Sequence, residues 1–121
     1  METYQLGEVE QRFADLIWAE QPLTSSRLVE LAAAELGWKK STTYTVLRRL
    51  CQRGLFANEN GTVRAVLSRE EFFSRQSRAY VQNSFGGSLP GFIAAFTGNR
   101  KLQREEIEQL RRMIEQAEKE E

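Results

Sequence analysis

A chain of 121 residues, 40% hydrophobic and with seven Phe, three Tyr and two Trp, has material for a real core in one small domain, or one domain with an appendage. One cysteine, Cys51, and no histidine exclude an internal disulfide, a Cys/His zinc site within one chain and an imidazole base near neutral pH, so no enzyme, cofactor or metal is expected. No apolar run approaches the roughly 20 residues that cross a bilayer, and Met1-Glu2-Thr3-Tyr4 opens no basic-then-apolar leader, so the expectation is a cytoplasmic protein without membrane insertion.

Val9, Phe13, Leu16 and Ile17 recur at helical spacing, with Ala14 and Trp18 widening the stripe, and predict a first helix over 8–20. Gln21-Pro22 ends it, because the residue before a proline is pushed out of the helical region. Thr24 is placed to cap a second helix that runs to Leu36, with Leu28, Leu31, Ala32 and Leu36 on one face and Gly37 as its stop. Trp38 follows at once and is expected to pack into the junction between helices. Ser41 is the expected cap of a third helix over 42–53, closed by Gly54. At about 100° per residue, Thr43, Val46, Leu47 and Leu50 cluster on one face, and Ser41, Tyr44, Thr45, Arg48 and Gln52 fall on the other. Arg49 and Arg53 sit at the flank. Two short helices joined by a brief glycine-containing link have the form of a helix-turn-helix.

Leu55-Phe56-Ala57 and Thr62-Val63-Arg64-Ala65-Val66-Leu67 flank Asn60-Gly61, a turn pair that tolerates positive φ and predicts a hairpin. Such a hairpin is marginal alone and must lean on the helices before it. Ser68 and Glu71 form a capping box for a fourth helix to about Phe85, broken by Gly86-Gly87. Ser88 is placed to cap a fifth, with Leu89, Phe92, Ile93 and Phe96 on one face and Pro90 in its first turn. A last helix over 104–118 carries Ile107, Leu110, Met113 and Ile114. The expected fold is mainly α with a small β-hairpin: a winged helix-turn-helix domain over 1–68, then a helical dimerisation arm over 69–121. Three apolar stripes without an obvious mutual core are most simply buried against a second copy. The alternative is that they fold back on the first domain of a monomer.

The net charge is zero, 17 basic against 17 acidic residues, but the charges are sorted along the chain. Gly37 to Asn58 contains no acidic residue and carries Lys39, Lys40, Arg48, Arg49 and Arg53, whereas Glu105, Glu106, Glu108, Glu115, Glu118, Glu120 and Glu121 crowd the end. An acid-free helix face of hydroxyls, amide, phenol and guanidinium suits the major groove of double-stranded DNA. Arg48 and Tyr44 are expected to point farthest out and read bases, with Thr45 and Gln52 secondary. Lys39, Lys40, Ser41 and Thr42 surround the helix start, where free N–H groups favour a phosphate. Arg49, Arg53 and, in the wing, Asn60 and Arg64 are expected to reach the backbone or minor groove. The rival reading is a winged-helix protein-interaction module without a DNA target.

Val9-Glu-Gln-Arg-Phe-Ala-Asp-Leu-Ile-Trp18, Trp38 to Phe56, Phe85-Gly86-Gly87 through Phe96, and Leu102 with Glu106-Ile107-Glu108-Gln109-Leu110 together resemble the penicillinase repressor family over nearly the whole chain. The resemblance implies a homodimeric repressor on a palindromic operator, dimerising through the helices after the wing (Phe85, Leu89, Phe92, Ile93, Phe96, Ile107, Leu110 and Ile114). It places Ser41, Thr42, Thr45 and Arg49 on the DNA-contact surface, and Tyr44 stands where a compared relative has arginine. Antibiotic-responsive members are cut by a regulatory protease at an Asn-Phe bond; the pair here is Ala95-Phe96. The cysteine-rich tail of copper-responsive relatives has no counterpart.

Overall fold

The computed structural model describes residues 5–119. The first helix, α1 (Glu8–Glu20), buries Phe13, Ala14 and Ile17, and its start is closed by the Gly7 N–H donating to Glu10 Oε1 at 3.2 Å. The chain then makes a strand that periodicity did not announce, β1 (Leu23–Thr24), too short to show alternation. Thr24 also caps α2 (Ser25–Leu36), its hydroxyl accepting from the Arg27 N–H at 3.0 Å. Gly37 ends α2 at φ 68°, the left-handed conformation that glycine adopts without a Cβ penalty.

Helix α3 (Lys40–Gln52) starts two residues earlier than the spacing predicts. Its cap is Lys39, in extended conformation and without a capping side chain, so Ser41 lies inside the first turn and is not the cap. The helix gains that turn because the Lys39 carbonyl accepts both the Thr43 N–H and the Thr43 hydroxyl. The wing follows as β2 (Phe56–Glu59) and β3 (Thr62–Ala65), with Asn60 at φ 53° and Gly61 at φ 84°. Two positive φ values give the turn whose twist matches paired strands. The sheet order is β1-β3-β2, all antiparallel, with Leu23 opposite Val63 and Phe56 opposite Ala65. The third strand is what steadies the hairpin. β3 stops at Ala65, short of the expected Leu67, because the Val66 and Leu67 N–H groups both turn to the Leu55 carbonyl.

These elements and the start of α4 (Arg69–Phe85) enclose one core: Phe13, Ile17, Leu28, Leu47, Leu50, Leu55, Phe56, Val63 and Phe72 are essentially inaccessible. Each such side chain contributes roughly 1.5–3 kcal/mol relative to exposure. Trp38 packs on Phe13 at 4.9 Å between ring centres, at the expected junction. Trp18 meets Phe56, Phe72 and Phe73, and its indole N–H donates to the Leu67 carbonyl at 2.9 Å, which pins the end of the wing. Ser68 and Glu71 make the capping box that starts α4.

The chain divides into two compact units, the second beginning at Tyr80. That unit holds the end of α4, α5 (Leu89–Thr97) and α6 (Arg104–Lys119). Ser88 caps α5 through the Gly91 N–H. Tyr80, Phe85, Phe92 and Phe96 form a chain of edge-on and tilted rings. No residue of α5 or α6 is fully buried. Among the described residues no helix is long and apolar enough to cross a membrane.

Candidate nucleic-acid interface

The buried face of α3 decides what its other face offers. Thr43, Val46, Leu47 and Leu50 are locked into the core, so Ser41, Thr42, Thr45, Arg48 and Gln52 are turned to solvent. Lys39 and Lys40 are exposed at the start of the helix, where the first N–H groups have no capping side chain. Among the described residues Lys39, Lys40 and Arg48 make no ion pair. The result is a polar, cationic helix surface with one long guanidinium at its middle.

Tyr44 departs from expectation. It does not point outward; it is half-buried against the core, and its hydroxyl meets Ser25 Oγ at 3.1 Å. A phenol ring carries enough apolar area to be drawn onto the core, and its hydroxyl then needs a partner, which the first residue of α2 supplies. Tyr44 therefore ties α2 to α3.

The flanking arginines are engaged within the protein. Arg49 Nη1 donates to Glu10 Oε2 at 3.1 Å, and Arg53 Nη2 donates to the Gln5 carbonyl at 2.8 Å. In the wing, Arg64 Nε meets Glu59 Oε1 at 2.6 Å, while Asn60 stands exposed at the tip of the turn. Sequence reasoning missed Glu10 and Glu59. Glu59 directly follows the acid-free window and lies near Arg64 in a hairpin, so it was within reach. Glu10 is 39 residues from Arg49 and only the fold joins them.

Cys51 sits half-buried at the edge of the core, and burial raises its thiol above the ordinary range, against a smaller lowering by the Asn58 backbone. It behaves as a small packed side chain. Among the described residues no three Cys, Asp or Glu side chains gather into a metal-holding group.

The second unit presents a different surface. Leu89, Ile93, Phe96, Ile107, Met113 and Ile114 are exposed, and Phe85, Phe92 and Leu110 are half-buried. Phe92, Ile93, Phe96, Leu102, Leu110 and Met113 line a groove of about 310 Å³ between α5 and α6. Ala95 and Phe96 lie inside α5 and are both exposed.

Comparison with known proteins gives one consistent result. The model of the family described as penicillinase repressor matches residues 6–116. Over 116 residues the chain is 19% identical to the methicillin resistance regulatory protein MecI of Staphylococcus aureus, covering 93% of this chain and 94% of that one. It is 18% identical, with the same coverage, to the protein of the same name from Mammaliicoccus sciuri.

Proposed function

The chain belongs to the penicillinase repressor family, and from that premise we propose that it is a sequence-specific transcriptional repressor that binds a palindromic operator as a homodimer. The observation that carries the proposal is the exposed, acid-free face of α3. A helix of this kind fits the major groove, where Arg48 would take guanine O6 and N7, with Thr45 and Gln52 reading neighbouring edges. Lys39, Lys40, Ser41 and Thr42 would hold phosphates at the start of the helix. Asn60 would approach the backbone from the wing. Arg49, Arg53 and Arg64 join the contact surface only by loosening the internal bonds they now make.

The exposed apolar side chains of α5 and α6 support the second half of the proposal, since a second copy would cover them across a two-fold axis. Residues 1–68 then form the DNA-binding part and residues 69–121 the dimerisation part. A cut between Ala95 and Phe96 by a regulatory protease would separate α6 from Phe92 and the aromatic chain it belongs to. Dimer and operator binding would be lost together. A chain that stays intact while its target genes switch on would remove proteolysis from the proposal.

The experiment is a selection of bound duplexes from genomic DNA, followed by titration of the enriched site. One palindromic motif should emerge, with affinity falling steeply as salt rises. Arg48→Ala should weaken the preferred site by about 1–3 kcal/mol and flatten the preference at one base position. If no sequence is enriched and a protein partner is captured on α3, the fold is serving as an interaction module and the proposal fails.

A further inference from the structure

Arg49 in the last turn of α3 and Arg53 just past its end lie about one turn apart, and the segment Gln5–Glu10 holds both, through the Glu10 carboxylate and the Gln5 carbonyl. Glu10 is doubly committed. One carboxylate oxygen takes the Gly7 N–H at the start of α1, and the other takes Arg49. Its side chain is 24% exposed against 53% for Arg49, so the acid is the anchored member and the guanidinium the open one. An exposed pair of this kind is worth about 0–1 kcal/mol, too little to stop a phosphate from competing. It is enough, with the negative charge left behind, to make that competition costly.

We infer that Glu10 is an affinity-setting residue: it withholds Arg49 from the DNA backbone, so that the free protein offers Lys39, Lys40 and Arg48, on and just before α3, as cations without an ion pair among the described residues. The inference rests on the DNA-binding reading above and adds to it a residue on α1, outside the recognition helix. Glu10 acts through Arg49, as a positioning residue. Because the withheld contact is to phosphate, its effect falls equally on all sequences.

The test is DNA titration over a range of salt with Glu10→Gln, which keeps a side-chain oxygen for the Gly7 N–H and removes the charge. At about 0.1 M salt, Glu10→Gln should bind preferred and random duplexes alike about two- to fivefold tighter. Its plot of log affinity against log salt should steepen by about 0.9, one additional phosphate contact. In an Arg49→Gln background the same change should leave the slope as it was, since no arginine is released. Glu10→Ala, which cannot hold Arg49 at all, should match or exceed Glu10→Gln, and melting curves of each variant report that it is folded. Unchanged or weaker binding by both Glu10 variants overturns the inference. So does an equal gain in both backgrounds, because general charge repulsion then suffices. A wild-type protein that binds no duplex at all ends the DNA-binding reading itself, an outcome separate from either of these.

Discussion

On α3, Tyr44 and Arg48 are one helical turn apart and serve opposite ends. Tyr44 bends toward the core and bonds to Ser25, whereas Arg48 stands in solvent without an ion pair among the described residues. The difference lies in the side chains: a ring gains from partial burial, and a guanidinium loses its hydration there unless a carboxylate meets it. Tyr44→Phe should therefore lower folding stability by about 0.5–1.5 kcal/mol, measured by urea unfolding, and leave the proposed DNA binding unchanged. A large loss of DNA affinity at unchanged stability would put Tyr44 back on the DNA surface. Cys51 follows the same logic: half-buried, with its thiol pushed up by desolvation, it is disfavoured as a thiolate.

At the scale of elements, caps and turns fix the boundaries, and these are electrostatic as well as geometric. Glu71 closes α4 by accepting the Ser68 N–H at 2.9 Å, and those bonds from Ser68 hold its carboxyl below the ordinary carboxylate range. A carboxyl lowered on folding adds stability that is complete above its unfolded value and fades as pH falls through its folded one. Glu71→Gln keeps a capping-box acceptor but not the charge. It should destabilise the protein at about pH 7 and lose that effect progressively as pH falls below the ordinary carboxylate range, as read from urea midpoints over a pH series. A difference that is constant with pH would assign the Glu71 contribution to shape alone. The wing shows the same economy of charge, because Glu59 neutralises Arg64 and leaves Asn60 as the polar tip of the turn.

The whole molecule combines a unit with a closed core and a unit without one. Up to Ala79 most of the large apolar side chains of three helices, a three-stranded sheet and Phe72 pack into or against one core, with Val9 left about half exposed. From Tyr80 onward the apolar stripes of α5 and α6 remain half-covered or open, with Phe96 and Leu89 at least half exposed. The proposed homodimer gives those stripes a partner. Phe96→Asp should weaken self-association by about a hundredfold, the effect of a charge placed among interface anchors. Sedimentation of a concentration series would measure it. Because the mutation lies outside the first unit, hydrogen-exchange protection of α1–α3 should persist. A wild-type chain that sediments as one subunit at all concentrations would remove the dimer.

Much of this protein was legible before any coordinates. Local rules fixed the helices, the Thr24, Ser68 and Ser88 caps, the Gly37 stop, the Asn60-Gly61 turn and the buried face of α3, because each depends on side-chain periodicity or on a backbone preference a few residues wide. Tertiary structure alone decided the rest. It made a strand of Leu23–Thr24, which exists only because β3 lies beside it. It also drew Tyr44 inward to Ser25 and brought Glu10 to Arg49 across 39 residues. Contacts between distant segments leave no local pattern in a sequence, so a charge that reads as free along the chain is found, once folded, to have its partner already.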